Sequence, residues 1–135
     1  MLEITLRPIG VIHSPFQELS GMPIQPTGEA SASGSVEIFP EIAGGLKDLA
    51  GFSHVILLYY FHQAGSLKIM VTPFLDSEPR GVFATRAPNR PNPIGLSVVR
   101  LLGIEGGTLQ VDNLDILDGT PLLDIKPYVP EFDYR

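Results

Sequence analysis

Arg86-Ala87-Pro88-Asn89-Arg90-Pro91-Asn92-Pro93-Ile94-Gly95 carries two guanidinium groups, two side-chain amides and three prolines in ten consecutive residues. The prolines preset the backbone and lower the entropy lost in holding one shape. Guanidinium forks grip carboxylate or phosphate through paired hydrogen bonds. Asparagine amides brace turns or read a base edge. The segment therefore reads as a rigid loop for an anionic ligand. The competing reading pairs its arginines with the acid-rich C-terminal part. There Asp112, Asp115, Asp118 and Asp124 punctuate a turn-rich stretch. Such acids suit general acid–base work, a ribose, an amine or a sulfonium; they are as often solvated turn residues, as Asp118-Gly119 is an ordinary turn pair.

The three histidines invite a metal, and spacing argues against one. His54 and His62 share parity on one apolar run, where eight residues at about 3.3 Å each hold them roughly 26 Å apart. His13 has no compact ligand motif around it. No metal is expected. His54 reads as a buried histidine bonded to backbone beside Ser53. His62, at a strand end next to Gln63, reads either as a binding group or as a polar cap. No Ser/His/Asp arrangement, phosphate-binding glycine loop or Gly-x-Gly-x-x-Gly fingerprint is present. Cysteine is absent, which excludes thiolate chemistry and disulfides.

The elements that must position these groups are short. The 135 residues include 14 glycines and 13 prolines, which favours many turns over long helices. Leu2, Ile4 and Leu6 alternate ahead of Pro8, predicting two short strands or one irregular edge strand up to Ile12. Ser14–Ser35 is a long loop. Gly34–Phe39 predicts a strand, and Glu41–Ala50 one or two helical turns bent at Gly44-Gly45. His54–Phe61 is apolar almost throughout and predicts a central strand covered on both faces. Leu67–Thr72, Gly81–Thr85 and Leu96–Ile104 follow as strands, and Glu105-Gly106-Gly107 makes a hairpin turn into Thr108–Val111. Leu122–Ile125 pairs briefly, and the tail to Arg135 is polar. The expected fold is all-β: a small closed or nearly closed β-barrel with long loops and one short helical segment.

The net charge of −6 argues against nonspecific coating of nucleic acid. Yet the four arginines Arg80, Arg86, Arg90 and Arg100 fall in a stretch free of acids, so one basic loop region stands beside an acidic one. No apolar run is long enough for a membrane span, and Met1–Gly10 lacks the pattern of a signal peptide. A soluble cytoplasmic protein of one domain, residues 1–135, is expected.

At these segments the chain closely resembles the TsaA/TrmO-like family. The likeness runs from Ile9-Gly10-Val11-Ile12-His13-Ser14-Pro15-Phe16 to Pro127-Tyr128-Val129-Pro130. Its most specific stretches are Gly51-Phe52-Ser53-His54, Gly81-Val82-Phe83-Ala84-Thr85-Arg86, Arg90-Pro91-Asn92-Pro93-Ile94-Gly95-Leu96-Ser97 and Leu114-Asp115-Ile116-Leu117-Asp118-Gly119-Thr120-Pro121. The resemblance implies a β-barrel methyltransferase that uses S-adenosyl-L-methionine to methylate N6 of threonylcarbamoyladenosine at tRNA position 37. It also implies a homodimer, no DNA and no membrane.

Carried over residue by residue, cofactor contacts fall on Pro23, Ile24, Gln25, His62, Gln63, Arg86, Leu96, Asp118, Gly119 and Thr120. Family members commonly have Pro-Arg-Gln where this chain has Pro23-Ile24-Gln25. Longer members append a C-terminal domain that is not expected here, so either the barrel dimer binds tRNA by itself through Arg80, Arg86, Arg90 and Lys68, with Asn92 also assigned to the substrate, or substrate choice differs. Asp118 and His62 are the candidates to take the N6 proton. Arg90 would meet a threonyl carboxylate or a phosphate. The alternatives are a barrel that binds the cofactor or RNA without catalysis, and a methyltransferase for another acceptor.

Overall fold

The computed structural model describes residues 2–18, 32–73 and 75–134. Six strands form a closed, wholly antiparallel barrel: β1 (Gly10–His13), β2 (Ala32–Ile38), β3 (His54–Tyr60), β6 (Ile94–Glu105), β7 (Thr108–Leu114) and β8 (Thr120–Pro127). Their order around the barrel is β1-β2-β7-β6-β3-β8, with β8 closing on β1. A separate two-stranded ribbon, β4 (Met70–Val71) with β5 (Arg80–Gly81), lies within the connection from β3 to β6. No helix is long and apolar enough to cross a membrane among the described residues.

Alternation writes the interior. Val55, Leu57 and Tyr59 of β3 face inward, as do Gly95, Ser97 and Val99 of β6. Ile12, Val36, Leu109, Val111, Leu114 and Leu122 complete a core from which water is excluded. Full burial of each such side chain contributes about 1.5–3 kcal/mol. The β6–β7 hairpin turns at Gly106, whose φ of 62° suits a residue without a Cβ. The register slips between Leu101 and Gly103, a bulge that bends the long strand around the barrel.

Several local expectations are corrected. Leu2–Pro8 forms no strand, since backbone pairing begins at Ile9, whose N–H donates to the Leu122 carbonyl at 2.7 Å. Leu2, Ile4 and Leu6 are all exposed. The segment Pro40–Leu46 and the turn Leu49–Gly51 are 3-10 rather than α-helical, consistent with a stretch that begins at proline and contains Gly44-Gly45. The only α-helical turn among the described residues, α1 (Pro130–Asp133), lies in the tail. Strand β3 is not covered on both sides. Ile56 and Leu58 are half-buried and Tyr60 is exposed on the outer face of the barrel.

The connections sort by end. The links β1–β2, β3–β6 and β7–β8 all leave from one end, termed the mouth. The other end carries the 3-10 turns, the β6–β7 hairpin and both chain extensions. Leu49, with Ala43 and Leu46, packs onto the core from that far end.

Candidate functional site at the barrel mouth

Strand direction brings the candidates together. His62, Gln63, Lys68, Arg80, Arg86, Arg90 and Asn92 ride on the β3–β6 connection. Asp118 lies on the β7–β8 turn, and Gly119 leads into Thr120, the first residue of β8. Leu96 is on the first turn of β6, opposite Leu58, on the outer face and about half exposed. Pro23, Ile24 and Gln25 belong to the β1–β2 connection and lie outside the described residues. Topology alone therefore gathers the described candidates at one end, although they span much of the chain.

Hydrogen bonds make the long connection a built structure. Arg90 Nη1 donates to the carbonyls of Thr85 at 2.9 Å and Ala87 at 3.0 Å. The Asn89 amide donates to the Ser66 carbonyl at 3.1 Å, and Lys68 N–H to the Asn89 carbonyl at 3.0 Å. Phe61 N–H meets the Pro93 carbonyl at 2.8 Å, closing the base of the excursion. Arg80 is held by Asp76 at 3.0 Å and faces Glu78 at 3.7 Å. That pairing holds the Asp76 carboxyl below its usual range. Arg86 is different: it is exposed and has no hydrogen bond or ion pair among the described residues. The His62, Gln63, Lys68 and Asn92 side chains are likewise uncommitted among those residues.

The β7–β8 turn is laced to the exit of β1. Asp118 Oδ1 accepts from Ser14 N–H at 3.0 Å, and Oδ2 from the Gln17 amide at 3.3 Å. Asp118 N–H donates to the Phe16 carbonyl and Gly119 N–H to the Ile12 carbonyl, each at 2.8 Å. Gly119 adopts φ 79°, which turns the chain into β8. The Thr120 hydroxyl points inward to the Leu117 carbonyl at 2.6 Å and is buried. The Thr120 N–H also donates to the Leu117 carbonyl, at 3.3 Å. Asp118 anchors the start of the first loop, whatever else it does.

Composition and spacing did not single out the polar group within the mouth. Tyr59 OH and Ser97 Oγ lie 2.8 Å apart, and Ser97 Oγ donates to Asp115 Oδ1 at 2.8 Å. Since Ser97 gives its proton to Asp115, the Tyr59 hydroxyl donates to Ser97. Burial, with the Asp115 charge adding to it, pushes the Tyr59 phenol up to about 12, so it stays a donor. Burial also raises the Asp115 carboxyl above its ordinary value, against the Ser97 hydrogen bond and the nearby Arg86 charge. The signal in the sequence was Ser97, a polar residue at an inward position between Leu96 and Val98, in phase with Tyr59 across the ladder.

The histidines do not converge. His13 Nε2 meets Glu37 at 3.0 Å on β2, and Nδ1 lies 3.8 Å from Asp118. His54 stands at the far end of β3 with its Nδ1 2.9 Å from the Ser53 hydroxyl and its ring edge-on to Tyr128. Its partner is thus a side chain rather than backbone.

Comparison with known proteins adds the family context. A model of the tRNA-methyltransferase O N-terminal domain matches residues 11–134. A probable S-adenosyl-L-methionine-binding protein of Pyrococcus abyssi is 58% identical over 134 residues, covering 99% of this chain and 73% of the relative. The human tRNA (adenine(37)-N6)-methyltransferase is 39% identical over 133 residues, 93% of this chain but 30% of that protein. A crystal structure of TrmO superposes with a TM-score of 0.85 at 47% identity, covering 99% of this chain and 61% of that one. The chain thus spans about three fifths of the solved protein it resembles.

Proposed function

The chain belongs to the tRNA-methyltransferase O N-terminal domain family, and from that premise we propose that it binds S-adenosyl-L-methionine at the barrel mouth and methylates N6 of a tRNA adenine. The acceptor in this reading is threonylcarbamoyladenosine at position 37 of the anticodon loop. The single observation that carries it is the convergence of three connections on one end, with Arg86 uncommitted beside the carboxylate of Asp115. The human relative is named for methylation at that adenine, and the Pyrococcus relative for binding that cofactor.

The donor set fits such a ligand. A guanidinium without a hydrogen-bond partner among the described residues suits the amino-acid carboxylate. Apolar Leu96 and the Phe61 ring offer flat surface for a base. When bound, the cofactor supplies a methyl group already activated on a sulfonium. The protein's task is then alignment of donor and acceptor, which alone lowers such barriers greatly. Arg86, Leu96, His62 and Gln63 orient the cofactor in this reading, with backbone groups of Gly119 and Thr120 closing around it and Pro23, Ile24 and Gln25 contributing from the first loop. Arg90 holds its loop with one nitrogen and turns the remaining donors, with Asn92, Lys68 and Arg80, toward tRNA. An unpaired anticodon loop offers its base at low cost.

A barrel domain working in the cytoplasm is part of the proposal. So is a homodimer, supported by the exposed Tyr60, Ile94 and Leu96 on the outer face of β3 and β6. The test is mass spectrometry of nucleosides after incubation with the cofactor and tRNA that carries threonylcarbamoyladenosine. One added methyl on that nucleoside, absent with unmodified tRNA, is the expected result. Cofactor binding without any transfer would favour a binding-only barrel, and transfer to another nucleoside a different acceptor.

A further inference from the structure

We propose that Asp115 is the group that takes the N6 proton during methyl transfer, held in place by Ser97 and Tyr59; this rests on the reaction assigned above. Four observations meet at this residue. Asp115 follows directly after β7 at the mouth, so its carboxylate stands at the rim of the interior rather than out in solvent. Its Oδ1 is fixed by the Ser97 hydroxyl at 2.8 Å, which is fixed in turn by Tyr59 at 2.8 Å. Its Oδ2 has no side-chain partner among the described residues, and no side-chain oxygen there is both buried and unbonded. Ser97 therefore holds one oxygen, and no side chain among the described residues bonds the other. Arg86, the uncommitted cation of the mouth, lies close enough to act on its charge.

A carboxylate in this setting is a better proton acceptor than a solvated one. Burial disfavours its charged form, which raises its affinity for a proton. The groups acting on it are Ser97 from β6, its own backbone N–H and, less strongly, Arg86 from the long connection, while Tyr59 from β3 acts through Ser97. Asp118 lies three residues on, yet both its oxygens accept bonds from the first loop. His62 has no partner among the described residues to fix its ring.

The acceptor nitrogen is ureido-like and weakly nucleophilic, so its proton must leave as the new bond forms. The N6–CH3 bond forms while the methyl–sulfur bond breaks and leaves its electron pair on sulfur. The N6 proton passes to Asp115 Oδ2, and the resulting carboxylic acid returns it to water after product leaves. Every atom and charge balances, with S-adenosylhomocysteine and one proton as the by-products. Arg86, by favouring the carboxylate, keeps Asp115 ready for the next cycle.

The experiment compares wild type, Asp115→Asn and Ser97→Ala on tRNA that carries threonylcarbamoyladenosine, by single-turnover rates across pH. Binding of S-adenosylhomocysteine is measured by calorimetry in parallel, and the Asp115 carboxyl is titrated by carbon NMR. Asp115→Asn should lower the rate roughly 100- to 1,000-fold, as loss of a general base does. Affinity for S-adenosylhomocysteine should stay within about threefold, because only the transition state is affected. Ser97→Ala removes a bond that favours the carboxylate, so the acid limb of the rate profile and the carboxyl titration should move together to higher pH. A full rate in Asp115→Asn, an equal loss of rate and affinity, or an unmoved acid limb in Ser97→Ala would each overturn the assignment. Wild type that transfers no methyl would instead overturn the reaction itself.

Discussion

Gly95 stands opposite Tyr59 in the β3–β6 ladder, and a Cβ placed on it would collide with the Tyr59 ring and crowd Phe61. The two aromatic rings meet edge to face at 5.5 Å just inside the mouth. A residue with no side chain is what lets Tyr59 lie flat and reach Ser97.

Gly95→Ala should therefore displace Tyr59 and destabilise the barrel by about 1–3 kcal/mol, the usual cost of forcing an extra methyl into a packed site. Urea unfolding measures it. A midpoint unchanged from wild type would show that the ring can move aside freely.

Arg86→Ala should shift the unfolding midpoint only slightly, because its guanidinium makes no hydrogen bond or ion pair among the described residues and reaches Asp115 only through its charge. Affinity for S-adenosyl-L-methionine should fall roughly 10-fold or more, the scale of a lost charge-assisted hydrogen bond. Calorimetry on the folded variant decides, and undiminished affinity removes Arg86 from the cofactor site.

Arg90→Ala should behave in the opposite way. Its Nη1 ties the Thr85 and Ala87 carbonyls together, so its loss should cost about 1–3 kcal/mol. Amides of residues 85–90 should exchange faster with deuterium. A variant whose loop amides exchange at the wild-type rate would show that the prolines suffice to hold the turn.

Asp118→Ala should free the Ser14 and Gln17 groups that its carboxylate receives. Faster hydrogen exchange at Ser14 N–H, with strand amides unaffected, is the expected signature. Unaltered exchange there would show that the backbone bonds from Asp118 and Gly119 hold this junction unaided.

The carboxyl of Asp115 makes stability depend on pH with a definite sign. Its folded pKa is raised above the unfolded one, so between the two values the native state binds a proton that the unfolded chain does not. Stability from this group is intact below the unfolded pKa of about 3.9 and is lost as pH rises through the folded pKa. Asp115→Asn should thus be more stable than wild type at neutral pH, with the gain vanishing in acid. Thermal melts from pH 3 to 8 test this; a gain independent of pH would contradict it.

Much of the barrel was legible because its strands carry strong local signals. The apolar run of β3, the Gly106-Gly107 turn and the Val98-Val99 centre of β6 each define an element without help from the rest of the chain. The Leu2–Leu6 alternation misled, since a period of two describes a strand only if some neighbour supplies hydrogen bonds, and here pairing begins at Ile9. Composition flagged the Arg86–Gly95 loop as a unit. It could not tell Arg90 from Arg86, because a guanidinium turns as readily to backbone carbonyls as to a ligand. Asp115 stood unremarked among four similar aspartates. Only the register of β3 against β6 places Ser97 and Tyr59 together beside it.

The six-stranded ladder closes on itself, with β8 returning to β1. It therefore has no seam that could part to let a spent ligand go. Motion on the microsecond-to-millisecond scale typical of product release belongs to the connections at the mouth. In the proposed reading, ligand exit is therefore governed by those connections rather than by the strands. Substitutions that only tighten the strands should raise the melting temperature and leave that clock running at its former pace.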